Sequence, residues 1–274
     1  MASNGGRLLS LSGMALGGLL LWGSRACIKE KKVIISAHVI QGMLADNFEL
    51  IEYIPHHFFQ KQQLGVSQLQ GWSTNKGNDF FRAKYKGVSF AFSDVWLGNG
   101  RTTTFKGHWL ILDLHKEIPA PLIISELEKW GELGQEAWIY MAQEPFRDTF
   151  TTLTKSPELL SQVLTPAFIE FLLTTRHPFG YTFSFHQPKH LFFGGTQVHF
   201  SIHTNHDSFE PCDDAQDVPA LRVRVQREID FIKNVIDGFL LIDGLFEEEK
   251  SDEEAEKRKL YTRLTRCLAN RVSE

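Results

Sequence analysis

Between Gly77 and Lys116 the chain reads GNDFFRAKYKGVSFAFSDVWLGNGRTTTFKGHWLILDLHK, three alternating apolar runs joined by short turn-forming stretches. No other stretch constrains the fold as tightly. Period-two alternation in consecutive runs with local turns predicts an antiparallel β-meander. Phe81, Ala83 and Tyr85 mark the first run, and Val88, Phe90 and Phe92 mark the second after Gly87. Phe105, Trp109, Ile111 and Asp113 mark the third, with LGNG at 97–100 supplying the turn before it.

A chain of 274 residues with 42% hydrophobic and 23% charged side chains has material for one large domain or two small ones, and is not globally disordered. The formal charge of -4 provides no overall basic footprint, so no nucleic-acid partner is expected. Cys27, Cys212 and Cys267 are widely spaced and form no CxxC pair, which points to reduced thiols and away from a disulfide framework or a zinc knuckle. With 22 Phe and 6 Trp, the core is expected to be built from aromatic side chains.

Leu8 to Trp22, LLSLSGMALGGLLLW, is uncharged and lies between Arg7 and the basic residues Arg25, Lys29, Lys31 and Lys32. Extended through Ser24 it would make a helix of roughly 25 Å, a marginal fit to a hydrocarbon core of about 30 Å. An uncleaved N-terminal anchor helix is the preferred reading, and the positive-inside rule then puts the main body in the cytoplasm as a single-pass protein of the bacterial inner membrane. The rival is a cleaved signal peptide ending near Ser24-Arg25-Ala26 on an exported protein, weakened by the arginine and by the basic residues that follow.

From Val33 to Ile51 the residues Ala37, Ile40, Leu44, Phe48 and Ile51 recur at helical intervals and predict an amphipathic helix ended by Pro55. Gln60 to Asn78 is polar and reads as a connector. Leu122 to Trp130 reads equally as a short helix or an edge strand, and Ala137 to Ala142 and Thr149 to Leu153 are strand candidates. Ser156-Pro157 and Thr165-Pro166 each place a capping hydroxyl before a proline at the first helical position, predicting two short helices in succession. Tyr181 to Phe185 and Gln197 to His203 predict a second β-unit, with Val198, Phe200 and Ile202 on one face and His199, Ser201 and His203 on the other. Leu221, Val225, Ile229, Ile232, Ile236 and Phe239 predict a long amphipathic helix running to Phe246. EEEKSDEEAE after it is an acidic solvated run, followed by a short amphipathic segment around Leu260, Leu264, Cys267 and Leu268.

The expected organisation is an anchor with a basic flank over residues 1–32, an α+β globular part over 33–246, and a charged tail over 247–274. In the globular part, antiparallel β-units are packed by amphipathic helices. Phe90, Phe92, Trp109, Ile111, Phe168, Leu172, Phe200, Ile202, Ile229, Ile232 and Ile236 are the expected core.

GNDFFRAKYKGVSFAFSDVWL, TTTFKGHWLILDLHK, the stretch from PFRDTFTTL to LTPAFIEFLL, HLFFGGTQVHFSIHTNHDSFEP and the helix ending near Leu245 follow one another in an order that resembles a bacterial family of membrane-anchored proteins, domain of unknown function 3137. The resemblance is collective and spans roughly residues 33 to 246. It implies an inner-membrane anchor, a cytoplasmic α+β domain and a membrane-protein neighbour as partner, but no activity. Family members often begin with a charged helical segment and a pair of hydrophobic helices, whereas this chain has one short apolar run.

No GxSxG elbow, HExxH helix, Walker loop or dinucleotide glycine fingerprint occurs. The histidines invite one sharper hypothesis, a metal-dependent hydrolase drawing on His56, His57, His186, His190, His199, His203 or His206. Against it, His199 and His203 stand about 13 Å apart along a strand, so a site would need His190 or His206 to fold back. The preferred reading is a solvated sheet face. Asp79 is expected to cap a turn, Asp94 and Asp113 to lie near strand ends with Glu117 at the surface, and Arg147 with Asp148 to form a surface pair. No catalytic, cofactor-binding or metal residue is assigned and no cofactor is expected. The reading is a membrane-tethered binding or scaffolding module.

Overall fold

The computed structural model describes residues 34, 37–64, 72–118, 121–126, 146–175, 180–186, 196–204, 209 and 218–247. Helix α1 covers residues 37–47. Strand β1 is Glu49–Ile54, and the single turn of helix α2 is Lys61–Leu64. The meander is β2 Thr74–Tyr85, β3 Val88–Gly98 and β4 Thr103–Asp113. Then come β5 Leu122–Ser125, β6 Thr151–Thr154, α3 Pro157–Val163, α4 Pro166–Thr174, β7 Tyr181–His186, β8 Gln197–His203 and α5 Val218–Phe239.

The fold is α+β, and all strands join one eight-stranded sheet in the order β1-β2-β3-β4-β8-β7-β5-β6, with every pairing antiparallel. The meander and the second β-unit are thus continuous: β4 pairs with β8 from Gly107↔His203 to Asp113↔Gln197. The β2–β3 turn is Lys86-Gly87, with φ of 49° and 80°. Positive values at both central residues give the type I′ geometry that matches the twist of the flanking strands.

All eleven expected core residues are buried, but they divide between two faces. On one face Phe81, Phe90, Phe92, Leu110, Leu112, Phe183, Phe185, Val198, Phe200 and Ile202 pack with α1, α4 and α5. Helix α5 presents Leu221, Val225, Ile229, Ile232 and Ile236 to this core. On the opposite face Phe80, Ala91, Val95, Leu97, Phe105, Trp109 and Ile111 form a second core with Phe59, Leu64 and Trp72. The solvated sheet face expected for His199, Ser201 and His203 is therefore corrected: His199 and Ser201 are buried and His203 is half-buried. Alternation assigns a residue to a face, whereas exposure depends on what packs against that face.

Other departures follow the same logic. The helix expected to reach Ile51 stops at residue 47, and ELIEYI pairs with β2 as an edge strand. Its β-branched and aromatic residues suit a strand, and the periodicity of 33–51 ran through the junction. The expected connector over Gln60 to Asn78 contains α2 and the first residues of β2. Leu122 to Ser125 resolves as a strand, internal between β7 and β6. The Ala137–Ala142 candidate lies outside the described residues. Ser156 and Thr165 cap α3 and α4, accepting from Leu159 N and Phe168 N at 3.2 Å each. Helix α5 ends at Phe239, and turns continue to Phe246.

Candidate functional site

Strand β3 carries Phe90, Phe92 and Asp94 on the helix-covered face, and β4 carries Leu112, Leu110 and His108 beside them, since Asp94 pairs with His108 in the register. The alternation that buries four apolar side chains therefore also buries a carboxylate and an imidazole. Asp94 is 1% exposed and His108 4%. Far from lying near a solvated strand end, Asp94 sits within the sheet with its Oδ1 2.5 Å from His108 Nδ1. From above, α5 brings Glu228, whose Oε2 is 3.5 Å from His108 Nε2. Both ring nitrogens of His108 thus face carboxylate oxygens, and only the imidazolium can donate to both. The ring is tilted against Phe92 at 5.6 Å, and Phe92 meets Phe209 edge-on at 5.6 Å. Carboxylate, imidazole and carboxylate join β3, β4 and α5 through a low-dielectric interior, where such contacts are strong.

The other sequence candidates are placed as follows. Asp79 does not cap a turn; it is the positive-φ residue (55°) of a bulge in β2, and its Oδ1 accepts from Tyr53 Oη at 2.6 Å. Phe80 faces one core and Phe81 the other. Asp113, 1% exposed, accepts from the backbone N–H of His115 at 2.9 Å, closing the end of β4. Glu117 and Asp148 are exposed, and the Arg147 side chain lies outside the described residues. His56 is exposed and His57 packs edge-on to Phe80 at 5.2 Å, remote in the sheet from β8.

On the second face, Trp109 Nε1 donates to His199 Nδ1 at 3.3 Å, and His199 Nε2 faces Gln197 Oε1 at 3.3 Å. Indole N–H only donates, so Nδ1 is the acceptor and His199 is the neutral, Nε2-protonated tautomer. His203 stacks on Phe105 at 5.3 Å, and burial pushes its imidazole below the usual value. No group of three or more His, Cys, Asp or Glu among the described residues is arranged to hold a metal ion. His190, His206 and the His186 side chain lie outside them. A shallow cavity of about 310 Å³ opens between the α1–β1 corner and the β2–β3 turn, with Asp46 and Glu49 on one side and Lys84 and Lys86 on the other. Lys86 is held there by Asp237 at 2.8 Å, which raises its ammonium above the usual lysine range.

Sequence reasoning missed His108 and Glu228 altogether. The available signal was the polar position in an otherwise apolar phase, His108 with Leu110 and Leu112, and likewise Asp94 with Phe90 and Phe92.

The matched family is the protein of unknown function DUF3137, over residues 103–241, half of the chain. This chain belongs to the DUF3137 family. The matched span runs from β4 to the turn after α5 and contains His108 and Glu228, whereas Asp94 precedes it. No curated protein matches. Among solved structures, the mycobacterial trehalose monomycolate transport factor A, TtfA, aligns at 9% identity with a TM-score of 0.41, covering 74% of this chain and 95% of that one. At that level nothing is transferred from it.

Proposed function

We propose that this DUF3137 chain is a membrane-tethered binding or scaffolding module, with its globular part on the cytoplasmic face of the bacterial inner membrane and a membrane protein as its partner. The observation that carries the reading is how its conspicuous polar residues are used. Asp94 with His108 and Glu228, Asp79 with Tyr53, and His199 with Trp109 and Gln197 each join strand to strand or strand to helix. They join elements of the fold to one another, which suits a binding platform. The tether rests on the uncharged Leu8 to Trp22 run and the four basic residues after it, which favour retention of the following chain on the cytoplasmic side. Among the described residues no helix is long and apolar enough to cross a membrane, and the run lies outside them.

Fractionation of cells producing the full chain, with alkaline carbonate washing, tests the tether. The chain should stay in the membrane pellet and move to the supernatant when Leu8 to Trp22 is deleted. In intact cells a membrane-impermeant maleimide should leave Cys212 and Cys267 unlabelled until the membrane is opened. Labelling without permeabilisation, or a mature N-terminus at Cys27, would establish export instead. Crosslinking in intact membranes should then recover one integral membrane protein in fixed proportion to the full chain. Recovery of none would remove the scaffolding role while leaving the tether standing.

A further inference from the structure

The carboxylate–imidazole–carboxylate chain has unequal ends. Asp94 Oδ1 is 2.5 Å from Nδ1, while Glu228 Oε2 is 3.5 Å from Nε2. Asp94 and His108 are neighbours within the sheet, and Glu228 belongs to the helix lying on it. Glu228 is also the most exposed of the three, its side chain 15% accessible, so the helix end of the chain is the one nearest water.

We propose that the His108–Glu228 contact is a proton-operated latch between the sheet and α5, closed while both ring nitrogens are protonated and opened when Nε2 gives up its proton. In the closed form Nδ1–H donates to Asp94, and the charged ring faces the Glu228 carboxylate across 3.5 Å. Loss of one proton removes the weaker, longer contact first, because the short bond to Asp94 keeps Nδ1–H. An imidazole lone pair then faces the Glu228 carboxylate, and attraction becomes repulsion at the turn between Val225 and Ile232.

Asp94 from β3 and Glu228 from α5 are charged groups that face His108 among the described residues. The β8 residue opposite it is the apolar Ile202, and Phe92 lies against the ring. Arg224 stands one turn before Glu228 on α5, an i, i+4 spacing that puts the two side chains on the same side of the helix. Burial opposes the charged ring, and two carboxylates at contact distance favour it. The latch therefore adds stability while the ring carries both protons and loses it as rising pH removes one. The apolar contacts of α5 do not titrate, so opening loosens one end of the docked helix without releasing it.

Two measurements on the full chain read the latch. Long-range ¹H–¹⁵N spectra of the histidine rings report the protons on each nitrogen of His108. Hydrogen exchange of the amides of 221–232, corrected for intrinsic rates, reports helix docking. The expected result is an imidazolium at about pH 6 that becomes Nδ1-protonated and neutral by about pH 9, with protection of 221–232 falling about tenfold. In Glu228→Gln, folded by circular dichroism, the fall should vanish. A neutral His108 at pH 6, equal protection at both pH values, or an unchanged pH response in Glu228→Gln would each overturn the proposal.

Discussion

Replacing Asp94 with alanine probes the buried pair directly. The substitution takes away an acceptor 2.5 Å from His108 Nδ1 at a site where the side chains are 1% and 4% exposed, so water cannot readily replace it. Breaking a buried pair by removing one partner costs about 3–5 kcal/mol, chiefly because the remaining polar or charged group stays buried without it. His108→Leu should fall in the same range, since it removes the buried partner of the Asp94 carboxylate. Removing both, as Asp94→Ala with His108→Leu, takes out the desolvation cost along with the attraction. The double variant should therefore be less destabilised than the sum of the two singles by at least about 2 kcal/mol. Equilibrium urea unfolding followed by tryptophan fluorescence measures this, with Trp109, 1% exposed, as an interior reporter. A single substitution costing under about 1 kcal/mol, or a double variant costing the full sum, would refute the reasoning.

Three further outcomes are expected. In Gly238→Ala the new Cβ would lie 2.1 Å from the Phe171 ring, which is itself stacked on Phe168. Overpacking of about 1–3 kcal/mol should outweigh the helix-propensity gain of about 1 kcal/mol, and thermal unfolding should show a lower midpoint that Phe171→Leu partly restores. Ser156→Ala removes the acceptor for Leu159 N and should cost about 1 kcal/mol by urea unfolding, whereas Ser156→Asp should be near neutral. Burial lowers the His203 pKa from 6.5, so the unfolded chain takes up that proton more readily. The His203 contribution is intact above the ordinary imidazole value and is lost as the pH falls toward the lowered one. His203→Gln should flatten that part of the acid limb of stability against pH, and an unaltered limb would show that the ring titrates as it does in the unfolded chain.

Much of the architecture is written locally. Alternation in the meander, the Ser-Pro and Thr-Pro caps and the 3.6-residue spacing of α5 depend on neighbours within a turn or a strand, and each is found where the sequence places it. The site was legible only as a fragment: Asp94 was recognised and assigned to solvent, while His108 and Glu228 drew no attention. These residues are separated by 14 positions and then by more than a hundred, and no local period links a strand residue to one on a helix lying across it.

The amino-acid order by itself determined the meander, the two capped helices, the second β-unit and α5, and which of their side chains share a face. The tertiary structure alone decided that β4 pairs with β8 and makes two β-units one sheet. It also decided that a core forms on both faces and that Asp94, His108 and Glu228 meet. The physical reason is range. Backbone periodicity acts over a few residues, whereas burial and charge pairing depend on what arrives from elsewhere in the chain to exclude water.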